Sequence, residues 1–251
     1  MPSTPTPVPV GATITAIRVV NKAAADSANT PLTFGQIFAE GAVAPADTLV
    51  GKLDDGTLVP LQFNVKATHA DGSVRHAVIS TVLPKIGAGK TSTLALLKGE
   101  AASAVPANVS PARLLDAGFT GSVVINIDGD SYTASADSLL RSGAYTTWLA
   151  GPTAGEWLVS APLKNAKGES HSHLAARFAL RYFPGVGKAR GDVTVENDWA
   201  YDPSPQNLTY DVQIRVGGKT VYANPALKHY HHARWRKMFW WGDVQEVDVQ
   251  H

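Results

Sequence analysis

The sequence predicts an all-β fold, an antiparallel sandwich or barrel built from hairpins, with one or two short helices. Three observations carry that expectation. Turn signals recur about every 10 to 15 residues, apolar and polar residues alternate on either side of them, and helix-like stretches are few and short.

The elements follow in order. "MPSTPTPVPVG" alternates Pro2, Pro5, Pro7 and Pro9 with small residues, so residues 1–12 are expected to form a Pro-rich extended arm. "TITAIRVVN" (Thr13–Asn21) is rich in β-branched residues and reads as a strand. "LVPLQFNVKATHADGSVRHAVISTVL" (Leu58–Leu83) reads as a hairpin about Asp71-Gly72, because both central residues of a tight hairpin turn need positive φ. Ser122–Ser135 repeats the pattern about Asp128-Gly129, and Leu208–Asn224 repeats it about Gly217-Gly218. In "HLAARFALRYF", Leu174, Ala176, Phe178, Leu180 and Tyr182 share one strand face, while Arg177 and Arg181 point to the other. "DVTVEND" is its expected partner. Ser110–Gly118 and Ser135–Gly143 are the helix candidates, each opening on a serine cap and closing on a glycine. The Ala- and Pro-rich "LLKGEAASAVPANVSPARL" marks a shift in composition. It divides the chain into a first β-subdomain over 13–100 and a second over 101–251, packed together or continuous.

Composition narrows the function. With 22 basic and 21 acidic residues, the net charge of +1 offers no global field for nucleic acid or an acidic membrane. The absence of cysteine excludes disulfides, thiolate metal sites and cysteine nucleophiles. No apolar run reaches the ~20 residues of a membrane helix, and the N-terminus lacks the basic start and apolar core of a signal peptide. Synthesis in the cytoplasm without a cofactor is expected. "IGAGKTST" (Ile86–Thr93) is not a phosphate loop, since the motif needs glycine where Pro84 stands.

The densest chemistry lies in "KHYHHARWRKMFWWG" (Lys228–Gly242). Read as a strand over Arg234–Trp241, it turns Ala233, Trp235, Phe239 and Trp241 one way. His232, Arg234, Arg236, Met238 and Trp240 turn the other. Tryptophan faces stack on sugar rings and arginines grip carboxylates, so Trp235, Arg234, Arg236, His229 and His232 are candidate ligand-binding residues. The simpler reading is a core strand whose tryptophans fill the barrel and whose arginines pair with Glu196, Asp198 or Asp202. A polysaccharide lyase needs a base and a cation beside the enolate-like charge. His231 or Tyr230 would supply the base, and Arg234 or Arg236 the cation. His171-x-His173 and His229-x-His231, with His232, Glu196 or Asp198, have metal-ligand types, but this spacing is unspecific and no metal is expected.

The ordered segments "PLTFGQIF", "DGTLVPLQFNVKATHADGSVRHAVIS", "WLAGPTAGEWLVSAPL", "HLAARFALRYFPGVGKARGDVTVENDW" and "HYHHARWRKMFWWG" resemble the N-terminal β-domain of large bacteriophage virion proteins. They also resemble the β-barrel domain that precedes a helical toroid in exo-acting rhamnogalacturonan lyases. The first resemblance implies a structural or adhesion module of a phage particle (tail, baseplate or fibre) that contacts glycans. Its partners would be other virion subunits, copies of itself in a homo-oligomer and cell-surface polysaccharide, with no nucleic acid and no membrane insertion. The second implies a polysaccharide lyase acting on an acidic polysaccharide. That reading ranks behind the first, because no helical part follows "GDVQEVDVQH" in this sequence.

Overall fold

The structure, a computed structural model, describes residues 9–100, 107–198, 206–244 and 246–251. The first part of the chain supplies β1 (Pro9–Val20), β2 (Ser27–Ile37), β3 (Thr48–Leu53), β4 (Leu58–Pro60), β5 (Gln62–Thr68), β6 (Val74–Ile86) and β7 (Thr91–Gly99). Next come α1 (Pro111–Asp116), β8 (Gly121–Ile127), β9 (Asp130–Ser135), α2 (Ala136–Arg141), β10 (Thr146–Leu149) and β11 (Gly155–Lys164). The chain continues through β12 (Ser170–Phe183), β13 (Lys188–Asn197), β14 (Leu208–Val216), β15 (Lys219–His229), β16 (Ala233–Trp241) and β17 (Asp248–Gln250). The fold is all-β, as the alternation and turn signals predict.

Three sheets result. The order β17-β1-β7-β3-β4 makes a five-stranded sheet, and β2-β6-β5 makes a three-stranded one. Ile17, Leu32, Phe34, Leu49, Ile79, Leu83 and Leu94 from these two sheets share one buried cluster. The third sheet has nine strands in the order β15-β14-β8-β9-β11-β12-β13-β16, with β10 attached to β11. Its two end strands follow one another in the chain, so the sheet curls into a nearly closed barrel. Trp157, Phe178, Val193, Val195, Tyr210 and Ile214 fill the barrel, and Leu114 of α1 and Leu140 of α2 join the same cluster. C-terminal strand β17 runs back to β1, pairing Val249 with Val19.

The turns obey backbone sterics. Asp128-Gly129 and Gly217-Gly218 both carry two positive-φ residues, and each closes its hairpin in two residues. At Asp71-Gly72 only Gly72 has positive φ, so the tight two-residue turn expected there is replaced by a longer one. In it the Asp71 carboxylate accepts from the Ser73 backbone and hydroxyl. Both predicted helices form. Ser135 caps α2 by accepting from Ser138 N, whereas Ser110 occupies the cap position of α1 without a side-chain bond. Ile86–Thr93 spans the end of β6, the turn over 87–90 and the start of β7, with Lys90 N donating to Gly87 O. Of the expected arm, residues 1–8 lie outside the described residues. Residues 9–12 belong to β1, with Pro9 in register with Gly99 of β7.

The sheet systems are joined along β5. Of its alternate residues, Gln62 and Asn64 reach the segment between β10 and β11, and Lys66 reaches Trp148 O at the end of β10. Gln62 is buried, donating to Ala154 O and Asn64 Oδ1 and accepting from Thr153 N and Ala154 N. That exhausts most of the amide's capacity.

Inside the barrel, Gly191 faces Phe239 in register, and a Cβ there would lie 2.1 Å from the Phe239 ring. A glycine in a central strand is otherwise a cost, so this one is explained by the ring above it. Gly191→Ala is expected to lower stability by about 1–3 kcal/mol through overpacking. In a Phe239→Ala background the same change should be neutral or stabilising, because the ring is gone and alanine suits a strand better. Urea denaturation of the four proteins checks this. Equal penalties in both backgrounds would show that the ring is not what the glycine accommodates.

Candidate functional site

The site lies on the outer face of the barrel, where β11, β12, β13 and β16 run side by side. Strand alternation and register together produce a grid. Glu156, Arg181, Arg190 and Trp240 form one row across the four strands. Leu158, Ala179, Asp192 and Met238 form the next, then Ser160, Arg177, Thr194 and Arg236. Pro162, Ala175, Glu196 and Arg234 complete the set. The inward residues of the same strands, among them Trp157, Phe178, Val193 and Phe239, are barrel core.

The grid floors an open basin of about 720 Å3 lined by five arginines: Arg177, Arg181, Arg190, Arg234 and Arg236. Three carboxylates sit beneath them. Glu156, Asp192 and Glu196 are 7%, 8% and 3% exposed, although they stand on the solvent side of a sheet. The arginines cover them. Arg181 pairs with Glu156 at 2.6 Å, and Arg177 pairs with Glu196 at 2.7 Å. Arg236 holds Asp192 in a bidentate pair, and Arg234 stands 3.9 Å from the second oxygen of Glu196. Pairing raises the already high pKa of Arg177 through its hydrogen bond to Glu196, and that of Arg236 through its bond to Asp192. Arg177, Arg234 and Arg236 keep 63%, 71% and 65% of their side chains exposed, so their remaining N–H donors can meet a ligand.

The sequence placed Arg234 and Arg236 on the outward face of the aromatic strand, and both line the basin. Trp235 and His229 do not join them. Trp235 turns inward by strand alternation and donates through Nε1 to Tyr210 Oη at 2.8 Å. His229 is buried, with Nε2 2.9 Å from Ala233 O and Nδ1 2.7 Å from Tyr210 Oη. A carbonyl only accepts, so Nε2 carries the proton and Tyr210 donates to Nδ1. The chain of bonds therefore runs Trp235 to Tyr210 to His229 to Ala233. Tyr230, His231 and His232 form the turn between β15 and β16, where His232 N donates to Asn197 O and His232 has positive φ. None of these three lines the basin. Among the described residues, no group of three or more His, Asp or Glu is arranged to hold a metal ion. His171 Nδ1 accepts from the backbone of His173 and Leu174. Asp202, named as an arginine partner, lies outside the described residues, and Glu196 fills that role.

Sequence reasoning missed Glu156, Asp192 and Arg190 as site residues. A signal was present: Arg190-x-Asp192-x-x-x-Glu196 and Arg234-x-Arg236 place charge on alternate residues of two strands that pair. Their shared face follows from pairing that the sequence does not state.

Burial depresses the pKa of His229, the largest influence, against a smaller upward pull from its bond to Ala233. The folded state therefore binds fewer protons than the unfolded one. Stability should be fully present above pH ~6.5 and fall as pH drops through and below that value. His171, also depressed by burial, adds in the same direction. Melting temperature measured from pH 7.5 to 5 should decline, and His229→Gln should flatten the decline. An unchanged slope in His229→Gln would place the sensitivity elsewhere.

Comparison with known proteins extends the description. Residues 14–95 match the family model of the PcRGLX-like N-terminal RIFT barrel domain, a segment that runs from within β1 to within β7. Among solved structures, the chain is similar to an alpha-mannosidase from Enterococcus faecalis V583, at 6% identity and TM-score 0.42 over 79% of this chain and 31% of that one. It is also similar to a protein in the glycosyl hydrolase family 38 from Enterococcus faecalis, at 6% identity and TM-score 0.40 over 79% and 32%. The chain spans about a third of the length of these structures. It has no match among curated proteins. What is shown is thus a resemblance of residues 14–95 to the RIFT barrel related to rhamnogalacturonan lyases.

Proposed function

We propose that this chain is a non-catalytic carbohydrate-binding β-module that grips an acidic polysaccharide in the outer-face basin. The observation that carries the reading is the charge arrangement: five arginines stand over three buried carboxylates in one open depression. A salt-bridge ladder built only for stability gains little, since exposed pairs contribute at most about 1 kcal/mol and buried charges cost solvation. Used as a binding surface, the same arrangement makes sense. The carboxylates fix the guanidinium planes, and the outward N–H donors meet the carboxylates of a uronate chain. Residues 14–95, which match a lyase-related barrel, lie outside the basin lining and bring in carbohydrate as the ligand class by resemblance only.

Binding is favoured over cleavage because the described residues lining the basin include no His, Tyr or Lys to act as the base of a β-elimination. The proposed setting is a bacteriophage tail, baseplate or fibre, assembled as a homo-oligomer with other virion subunits. That setting rests on the sequence resemblance alone.

Calorimetric titration against polygalacturonate and its methyl-esterified form tests the proposal. Binding is expected for the acidic polymer only, and it should weaken as salt screens the arginines. Arg234→Ala should weaken it roughly two- to fivefold with little change in stability, since Glu196 keeps Arg177. Equal binding of both polymers would sink the electrostatic reading. A rise in ultraviolet absorbance from an unsaturated product would replace binding by lyase activity.

A further inference from the structure

The basin continues into a smaller cavity of about 200 Å3 that reaches β2 of the first sheet system, and the two share Arg181 and Arg190 as walls. At this neck the charge pattern breaks. Glu156, Asp192 and Glu196 are each matched by Arg181, Arg236 or the Arg177–Arg234 pair. Arg190 has no carboxylate within ion-pair distance among the described residues. Its Nε is directed at the thioether of Met238, a weak acceptor. It stands in register beside Arg181, a like charge, and beside Trp240, whose indole N–H is donated to Glu246. Desolvation, and then the neighbouring Arg181, lower its pKa; Asp192, Glu156 and Glu246 pull the other way from further off. A half-buried guanidinium with no carboxylate in ion-pair contact costs free energy that these more distant carboxylates recover only in part.

We propose that Arg190 is the anion anchor of this site, taking one uronate carboxylate of the ligand at the neck between the two cavities, beside the Trp240 side chain. The inference rests on the glycan-binding reading and adds which residue reads the carboxylate. The other arginines arrive at the ligand with part of their charge already answered, so they follow the chain without selecting one group. Arg190 arrives with no carboxylate in direct contact among the described residues, and a planar carboxylate matches its fork.

Titration of wild type, Arg190→Gln, Arg190→Lys and Arg234→Ala with oligogalacturonates separates the possibilities. Methyl-esterified and sulfated neutral oligosaccharides serve as comparison ligands, and melting temperatures are recorded in parallel. The expected result is at least a tenfold loss of affinity in Arg190→Gln, partial recovery in Arg190→Lys, and the smaller loss in Arg234→Ala. Arg190→Gln should melt no lower than wild type, because it removes an uncompensated charge. Wild type should prefer the carboxylated ligand to the sulfated one. A loss in Arg190→Gln no larger than in Arg234→Ala, with wild type still binding, overturns the anchor and leaves glycan binding standing. So does a lower melting temperature in Arg190→Gln, which would make Arg190 a structural partner of Glu246. Wild type that binds none of the ligands overturns both readings.

Discussion

Everything on the outer face of the barrel depends on the register in which β13 is held between β12 and β16. Side chains alternate with a period of two, so a slip of one residue would carry Asp192 and Glu196 into the barrel and push Val193 and Val195 out. Such a slip is blocked from the inside. Gly191 must meet Phe239, and Val193 and Val195 must meet a closed apolar cluster. The polar surface is therefore specified by the core beneath it. Phe178 and Val193 fix where Arg177 and Asp192 stand without touching a ligand.

The energetics of that surface separate it from ordinary solvent-facing sheet. Three carboxylates on the outside of a sheet are as buried as core residues, and only the guanidinium layer above them makes this tolerable. Removing one cover, such as Arg236, would leave Asp192 buried and unpaired. The layer is thus internally committed on one side and open on the other. The chain from Trp235 through Tyr210 to His229 is the inward counterpart: a polar network in which every donor named has an acceptor, closed to ligands because it is complete.

Much of the fold was legible because its shortest hairpins announce themselves. Asp128-Gly129 and Gly217-Gly218 pair strands that are neighbours in sequence, and the alternation in "HLAARFALRYF" separates Phe178 from Arg177 correctly. Other strands were not identified individually. β2 carries Pro31, which reads against a strand until β2 is seen as an edge paired only to β6. β11 carries Pro162 for a similar reason, because β9 joins β11 only at Lys164. The candidate site was legible in part. Arg234 and Arg236 stood out by composition, whereas Trp235, grouped with them in the sequence, stands on the inward face. Only the pairing of β13 with β16 shows that the arginines' neighbours are Glu196 and Thr194.

β17 returning to β1 gives the molecule an order of assembly that its sheet diagram does not display. Val247 and Val249 pack against the first cluster, yet they are made about 150 residues after β7. At synthesis rates of about 5–20 residues per second, the edge of β1 waits roughly 8–30 seconds for its neighbour. During that interval the first sheet system has an open strand edge able to accept any extended chain nearby. Completion of the N-terminal sheets is thus timed by the emergence of β17. The barrel is made in between, while that seam stays open.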